Sequence, residues 1–240
     1  MTWRGYTGSS HYPLGFYKQL KGSANLAPSA HFVTDAAAGT LPQLCMVWHD
    51  SPLDEHPRAD VTLGQNAIWQ AVDAVVNVGG WEETVFMLTW DDWGGYDDHV
   101  ATPATEYTPD NVQLAYGPRI GLIMFGGQVR PGIDSRWCSH ASIPKTAMQL
   151  LGLPALGVPR LDSDAGLADL VDPALHTPPP PPFGKLQLPT PPVPTPAPRR
   201  LPPHPSAKPQ PVGPVILRDG STLPPPNDAP LPPQPHPPSS

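Results

Sequence analysis

Residues 84–100 read Thr-Val-Phe-Met-Leu-Thr-Trp-Asp-Asp-Trp-Gly-Gly-Tyr-Asp-Asp-His-Val. The first seven form a nearly continuous apolar run, which is typical of a strand buried on both faces of a sheet. Residues 44–49 and 119–125 have the same character. Together the three runs predict a parallel sheet that is covered by helices.

Two helices are predicted around these strands. Apolar residues recur at helical spacing within residues 62–78, where Thr62 and Gln65 can form a capping box. A second helix is predicted over residues 142–151, with the Ser142 hydroxyl as its cap. Helices that alternate with buried strands indicate an α/β fold.

The prolines divide the chain into two parts. All seven tryptophans lie in residues 1–177, whereas 26 of the 39 prolines lie in residues 178–240. Proline cannot donate to a ladder, and apolar residues in this second part are sparse. The sequence therefore predicts a folded domain over 1–177 and a disordered, proline-rich tail over 178–240. Within the tail, residues 215–220 are a candidate docking segment.

Charge and cysteine content exclude several classes of protein. Residues 1–177 carry a formal charge of −10, which argues against a nucleic-acid surface and suits either a bound cation or a soluble acidic surface. The two cysteines, Cys45 and Cys138, indicate neither a disulfide framework nor a thiolate zinc site, although one bridge between them is open. The sequence predicts no membrane span and shows no signal peptide, so it assigns no location.

Two adjacent carboxylates follow the predicted strand over residues 84–90. Asp91 and Asp92 would lie at its carboxyl end, where α/β sheets gather ligands, and carboxylate oxygens suit divalent cations. Gly94 and Gly95 then allow a tight turn. Considered alone, however, an Asp-Asp pair is more often a solvated acidic turn.

The residues that surround Asp91 and Asp92 favour the ligand interpretation over the solvated turn. Residues 91–100 resemble the motif Asp-Glu-x-Gly-Gly-(aromatic)-(aromatic)-Asp-His-Val of the phosphoesterase family, which includes bacterial phospholipases C and acid phosphatases. Asp92 stands where Glu is commoner, and Asp97 replaces an aromatic residue. Other stretches resemble family elements in the same order: His11-Tyr12-Pro13, Phe32-Val33-Thr34-Asp35, Asp54-Glu55-His56-Pro57, Gly117-Pro118-Arg119-Ile120 and Ser139-His140-Ala141-Ser142-Ile143.

The resemblance implies roles for particular residues. Asp91 and Asp92 would be ligands of a divalent metal ion, with calcium, magnesium, manganese and zinc all open. His56 would contact the substrate phosphate or protonate the leaving alkoxide, since imidazole gains and loses a proton near neutral pH. His11 would be a second phosphate-contacting histidine or a packing residue. Asp98 and His99 would support the turn behind the metal, with direct contact at the site as the alternative.

The resemblance also implies an alkaline-phosphatase-like fold, whose metal site is completed by an upstream Glu-Asn-x-Ser-Phe-Asp motif and a Ser or Thr nucleophile. That motif is absent from these 240 residues. The chain is therefore expected to be the C-terminal half of the domain, with a partial sheet, and to be inactive or incomplete alone.

Two functions from different classes follow. The first is a phosphoesterase hydrolase acting on phosphomonoesters or phospholipid phosphodiesters, with a separate N-terminal half as partner. The alternative is a non-catalytic remnant whose proline-rich tail binds partners, because polyproline segments are already extended. Members of the family are often exported, which leaves the location open for a chain without a signal peptide.

Overall fold

The computed structural model describes residues 1–8, 13–100, 104–107, 112–181, 215–216 and 222–223. The strands are β1 Trp3–Thr7, β2 Leu26–Pro28, β3 Leu44–Val47, β4 Phe86–Thr89, β5 Ala104–Tyr107, β6 Gln113–Ala115, β7 Leu122–Phe125, β8 Val215–Ile216 and β9 Thr222–Leu223. The helices are α1 His31–Ala37, α2 Val61–Asn77, α3 Ser142–Leu150 and α4 Pro159–Ser163.

The chain divides into two compact units. The first comprises residues 1–100 and 118–190, and the second comprises residues 101–117 and 191–240. In the second unit, β5 pairs with β6 and β8 pairs with β9, both antiparallel. The candidate docking segment thus contributes β8. The rest of the predicted tail beyond residue 181, apart from β9, lies outside the described residues, and its disorder stays a prediction.

A small parallel sheet forms the centre of the first unit. Its three strands are ordered β2-β1-β3, with Tyr6 opposite Ala27 on one side and Val47 on the other. The central position of β1 explains why Tyr6 and Thr7 are fully buried. Because the strands are parallel, β1 and β3 end at the same edge of the sheet. This confirms the predicted α/β fold with a partial parallel sheet and flanking helices.

The two other predicted strands pair differently. β4 and β7 form a separate antiparallel ladder, in which Phe86 lies opposite Phe125 and their rings stack with centroids 4.8 Å apart. The prediction that all three apolar runs share one parallel sheet was therefore wrong. An apolar run reports burial on both faces of a strand, but it does not fix the direction of the neighbouring strand.

The hydrophobic core joins the parallel sheet to α1 and α2. Its buried members are Tyr6, Ala27, Phe32, Ala36, Ala74 and Val75. The rings of Tyr6 and Phe32 meet edge to face, with centroids 5.2 Å apart. The Tyr6 hydroxyl donates to Asp35 at 2.8 Å, and the Arg4 guanidinium donates to the same carboxylate oxygen at 2.8 Å. These two hydrogen bonds to Asp35 therefore connect β1 to α1.

Both predicted helices are present, but their first turns are held differently from the prediction. Asp60 caps α2, because its carboxylate accepts from the Thr62 backbone N–H at 2.9 Å. Ser142 begins α3 without acting as its side-chain cap. Its hydroxyl donates instead to the Asp164 carboxylate at 2.7 Å, which fastens the segment after α4 to the start of α3.

The end of the first unit is held at Thr177. The Thr177 carbonyl accepts from the Trp81 indole N–H at 2.8 Å, and its backbone N–H donates to Gly127 at 2.8 Å. The predicted domain boundary between residues 177 and 178 stays a prediction. In the described part of the chain, no helix is long and apolar enough to cross a membrane. Both cysteine thiols, Cys45 and Cys138, are free, so the bridge left open by the sequence is not formed.

Candidate active site

Asp91 and Asp92 occupy an exposed turn one residue beyond the carboxyl end of β4. The Asp92 Oδ1 atom accepts from the Gly94 backbone N–H at 2.6 Å. Gly94 and Gly95 both have positive φ, 70° and 80°, which disfavours any residue with a Cβ. The local sequence thus holds one oxygen of Asp92 in the turn, and both Asp91 and Asp92 are exposed.

The loop that carries His56 lies against this turn. A Cβ placed on Gly94 would stand 3.2 Å from the Pro57 Cγ atom and 3.3 Å from the Tyr96 ring. Pro57 therefore packs on the glycine backbone of the turn. The contact brings the residue next to His56 onto the segment that holds Asp91 and Asp92.

His56 itself is exposed, on a loop with unusual backbone geometry. Its neighbours Glu55 and Arg58 have φ values of 59° and 85°, which non-glycine residues adopt only where the surroundings hold them. The His56 Nδ1 atom lies 3.3 Å from the Pro57 carbonyl oxygen. A carbonyl can only accept, so this contact requires Nδ1 to carry the proton and leaves Nε2 available for substrate.

Trp90 anchors the start of the turn from two sides. Its indole N–H donates to the Glu55 carboxylate at 2.9 Å, and its carbonyl oxygen lies 3.0 Å from His140 Nε2. Its ring also packs on Gly121, where a Cβ would stand 3.2 Å from the ring. These contacts fix the residue that immediately precedes Asp91.

Asp98 closes the other end of the turn. Its carboxylate accepts from the Arg119 Nη2 and Nε atoms at 2.8 and 2.9 Å, and from the Val100 backbone N–H at 3.1 Å. The Arg119 hydrogen bonds hold the pKa of the Asp98 carboxyl well below its usual range. His99, in contrast, is 89% exposed, with Nδ1 3.8 Å from Asp98. The hydrogen bonds of Asp98 thus connect the turn to Arg119.

An open cleft of about 470 Å³ lies beside the Asp98–Arg119 pair, and Trp93, Tyr96 and Asp97 contribute to its wall. Asp91, Asp92 and His56 do not line it. The carboxylates of the turn are therefore presented at the surface next to the cleft.

A metal ion would need more ligands than this arrangement provides. Among the described residues, no group of three or more His, Cys, Asp and Glu side chains could hold a metal ion. His11, the second predicted phosphate contact, lies outside the described residues. The role of Asp91 and Asp92 as metal ligands stays a prediction, and the described residues around them do not complete a metal site.

Comparison with known proteins decides the relationship. Residues 5–154 match the phosphoesterase family. This chain belongs to that family. The match covers the N-terminal part of the chain and confirms the resemblance drawn from the motifs. The predicted correspondence to the C-terminal half of the family domain stays a prediction.

Its relatives in the phosphoesterase family include plant and bacterial enzymes. The chain is 30% identical to non-specific phospholipase C6 of Arabidopsis thaliana over 67% of the chain and 36% of the relative. Identity to non-specific phospholipase C5 of the same plant is 37%, over 58% of the chain and 32% of the relative. Phospholipase C B of Mycobacterium tuberculosis is 34% identical over 30% of the chain. The chain thus spans about a third of the length of its plant relatives.

Two residues that support the candidate site were not predicted from the sequence. Glu55 and His140 both contact Trp90, yet they lie 35 and 50 positions from it. From the sequence, both are identified only as members of stretches that resemble the family, Asp54-Glu55-His56-Pro57 and Ser139-His140-Ala141-Ser142-Ile143. Their membership in these stretches was the only signal in the sequence, and it did not indicate that either residue contacts Trp90.

Proposed function

We propose that this chain supplies Asp91, Asp92 and His56 to a metal-dependent phosphoesterase that hydrolyses phosphomonoesters or phospholipid phosphodiesters. Family membership supports the reaction class. The observation that carries the assignment to these residues is the packing of Pro57 on Gly94, since it joins the His56 loop to the carboxylate turn. The phospholipase C names of the relatives favour a phosphate diester of a lipid as one substrate class.

His56 would act on the phosphate through Nε2. With Nδ1 donating to the Pro57 carbonyl, a neutral ring offers the Nε2 lone pair, and a protonated ring offers an Nε2–H donor. The protonated form would donate to a phosphoryl oxygen or give its proton to the leaving alkoxide. The exposure of His56 leaves room for a substrate to approach it.

Asp91 and Asp92 would provide two hard oxygen ligands, which suit calcium, magnesium or manganese and do not exclude zinc. A bound cation of this kind polarises the phosphoryl group and activates a nucleophile. Two carboxylates alone hold a cation weakly. The resemblance places the remaining ligands and the Ser or Thr nucleophile in a segment with the Glu-Asn-x-Ser-Phe-Asp motif, whether in a longer form of this protein or in a separate N-terminal half.

Hydrolysis assays test this proposal. The chain would be assayed on p-nitrophenyl phosphate and phosphatidylcholine with added Mg²⁺, Mn²⁺, Ca²⁺ or Zn²⁺, alone and together with the N-terminal half of a family member. We expect metal-dependent turnover in the mixture that Asp91→Asn abolishes. The matched control is Glu83→Gln, because Glu83 is an exposed carboxylate before the opposite end of β4.

Two results would reject the proposal. One is turnover that Asp91→Asn leaves intact, and the other is no turnover under any of these conditions. The second result would favour the non-catalytic alternative, in which case deletion of residues 178–240 should abolish the capture of partners.

A further inference from the structure

The Glu55 side chain connects three parts of the first unit. Its Cγ atom lies over Gly64 of α2, so close that a Cβ on residue 64 would stand 2.2 Å from it. Its carboxylate accepts from the Trp90 indole N–H at 2.9 Å. Its backbone precedes His56 directly. Glu55 thus contacts the helix after the His56 loop and the residue before Asp91.

The backbone of Glu55 is held in an unfavourable region. Its φ of 59° is left-handed, and a glutamate stays there only when neighbouring contacts fix it. Its contacts with Gly64 and Trp90 hold it there together with the hydrogen bond across residue 55, in which the His56 backbone N–H donates to Asp54 Oδ1 at 3.3 Å. Releasing the carboxylate would allow residue 55 to relax to a common conformation, and the attached His56 would move with it.

Trp90 in turn has little freedom to follow such a movement. Its carbonyl lies 3.0 Å from His140 Nε2, and its ring packs on Gly121. The neighbouring Thr89 hydroxyl donates to the Gly121 carbonyl at 2.8 Å. The Asp91 side of the site is therefore fixed independently, so that the Glu55 to Trp90 bond, together with the packing of Pro57 on Gly94, sets where the His56 loop lies relative to it.

We propose that Glu55 is a positioning residue. The hydrogen bond that it accepts from Trp90 holds His56 at a fixed position relative to the Asp91–Asp92 turn. Glu55 does not contact substrate. The effect of this hydrogen bond on the reaction rests on the proposed function, whereas its effect on the position of the His56 loop does not. A shift of about 1 Å in a reacting group can lower the rate on the order of a hundredfold, so holding His56 at a fixed position has a large effect on the rate.

The direct test is nuclear magnetic resonance on the full chain, with and without substitutions of matched size. Glu55→Leu removes the acceptor, whereas Glu55→Gln keeps a carbonyl acceptor. Trp90→Phe removes the donor and assigns the indole signal. We expect Glu55→Leu and Trp90→Phe to shift the His56 ring signals, whereas the Asp92 amide signal should move little in Glu55→Leu, because the contacts of Trp90 with His140 and Gly121 hold the turn. Glu55→Gln should return the His56 ring signals to the wild-type positions, and the double variant Glu55→Leu/Trp90→Phe should add nothing further.

Two results would overturn the proposal. One is wild-type His56 ring signals in both Glu55→Leu and Trp90→Phe. The other is a Glu55→Gln spectrum displaced as far as that of Glu55→Leu. If Glu55→Leu fails to fold, Trp90→Phe tests the same hydrogen bond, because it removes the donor instead of the acceptor.

A kinetic measurement separates this proposal from the proposed function. In a mixture that turns over p-nitrophenyl phosphate, Glu55→Leu should lower kcat by about tenfold to a hundredfold, and Glu55→Gln should lower it far less. A wild-type chain without turnover would reject the proposed function and leave the spectroscopic result to decide on Glu55. Full kcat in Glu55→Leu alongside loss in Asp91→Asn would reject only the positioning role.

Discussion

Gly64→Ala should destabilise this protein, against the usual effect of alanine in a helix. Gly64 lies in the fourth position of α2, and glycine to alanine inside a helix normally stabilises by about 0.8–1.0 kcal/mol. Here the new methyl group would stand 2.2 Å from Glu55 Cγ and 2.7 Å from Glu55 Oε1. The Glu55 side chain would have to leave, and the hydrogen bond from Trp90 would be lost with it.

The expected size follows from these two opposing effects. A hydrogen bond to a charged group contributes about 1.5–3 kcal/mol, and the lower end suits this half-buried pair. After subtraction of the helical gain, Gly64→Ala should lower the free energy of unfolding by about 0.5–0.7 kcal/mol. In a Glu55→Ala background the methyl group has room, and the same change should stabilise by about 0.5–1 kcal/mol.

Urea unfolding followed by circular dichroism measures both values, and the double-mutant cycle isolates the coupling between residues 55 and 64. The sign of the Gly64→Ala effect should reverse between the two backgrounds. Equal stabilisation by Gly64→Ala in the wild-type and Glu55→Ala backgrounds would refute the described packing of Glu55 on α2.

Further predictions concern the core and the thiols. Tyr6→Phe removes the main hydrogen bond that lowers the pKa of Asp35, so it should cost about 1 kcal/mol near neutral pH. A depressed carboxyl pKa stabilises above the unfolded value of about 3.9. The deficit of Tyr6→Phe in urea unfolding should therefore shrink as the pH falls below that value, and a constant deficit would contradict it. Burial raises the pKa of the Cys45 thiol to about 11, so at pH 8 iodoacetamide should modify exposed Cys138 far faster than Cys45, and mass spectrometry of a time course should show it.

The sequence located elements better than it located their partners. The apolar runs marked β3, β4 and β7, because burial on both faces leaves a readable pattern. The antiparallel pairing of β4 with β7 was missed, because that pattern does not record strand direction. The central strand β1 was also missed as a strand. It has only five residues, two of them polar, and its burial comes from the neighbours that tertiary structure provides.

The candidate site divides in the same way. The turn after β4 is local, and its acidic and glycine residues could be read directly from residues 91–95. The supports of that turn are distant in sequence, since Glu55 and His140 reach Trp90 only through the fold. Ser142 illustrates the limit within a helix start: a capping role was expected, but Asp164, 22 residues away, takes its hydroxyl.

Binding of Mn²⁺ to the full chain tests the central claim, that Asp91 and Asp92 together present a cation site. Electron paramagnetic resonance would follow a Mn²⁺ titration of the wild type, Asp91→Asn, Asp92→Asn and the control Glu83→Gln, in the presence of the N-terminal half of a family member. We predict that each aspartate substitution raises the dissociation constant for Mn²⁺ by about tenfold or more, equivalent to about 1.4 kcal/mol, and that Glu83→Gln leaves it unchanged. The same dissociation constant in all four proteins would contradict the assignment of Asp91 and Asp92.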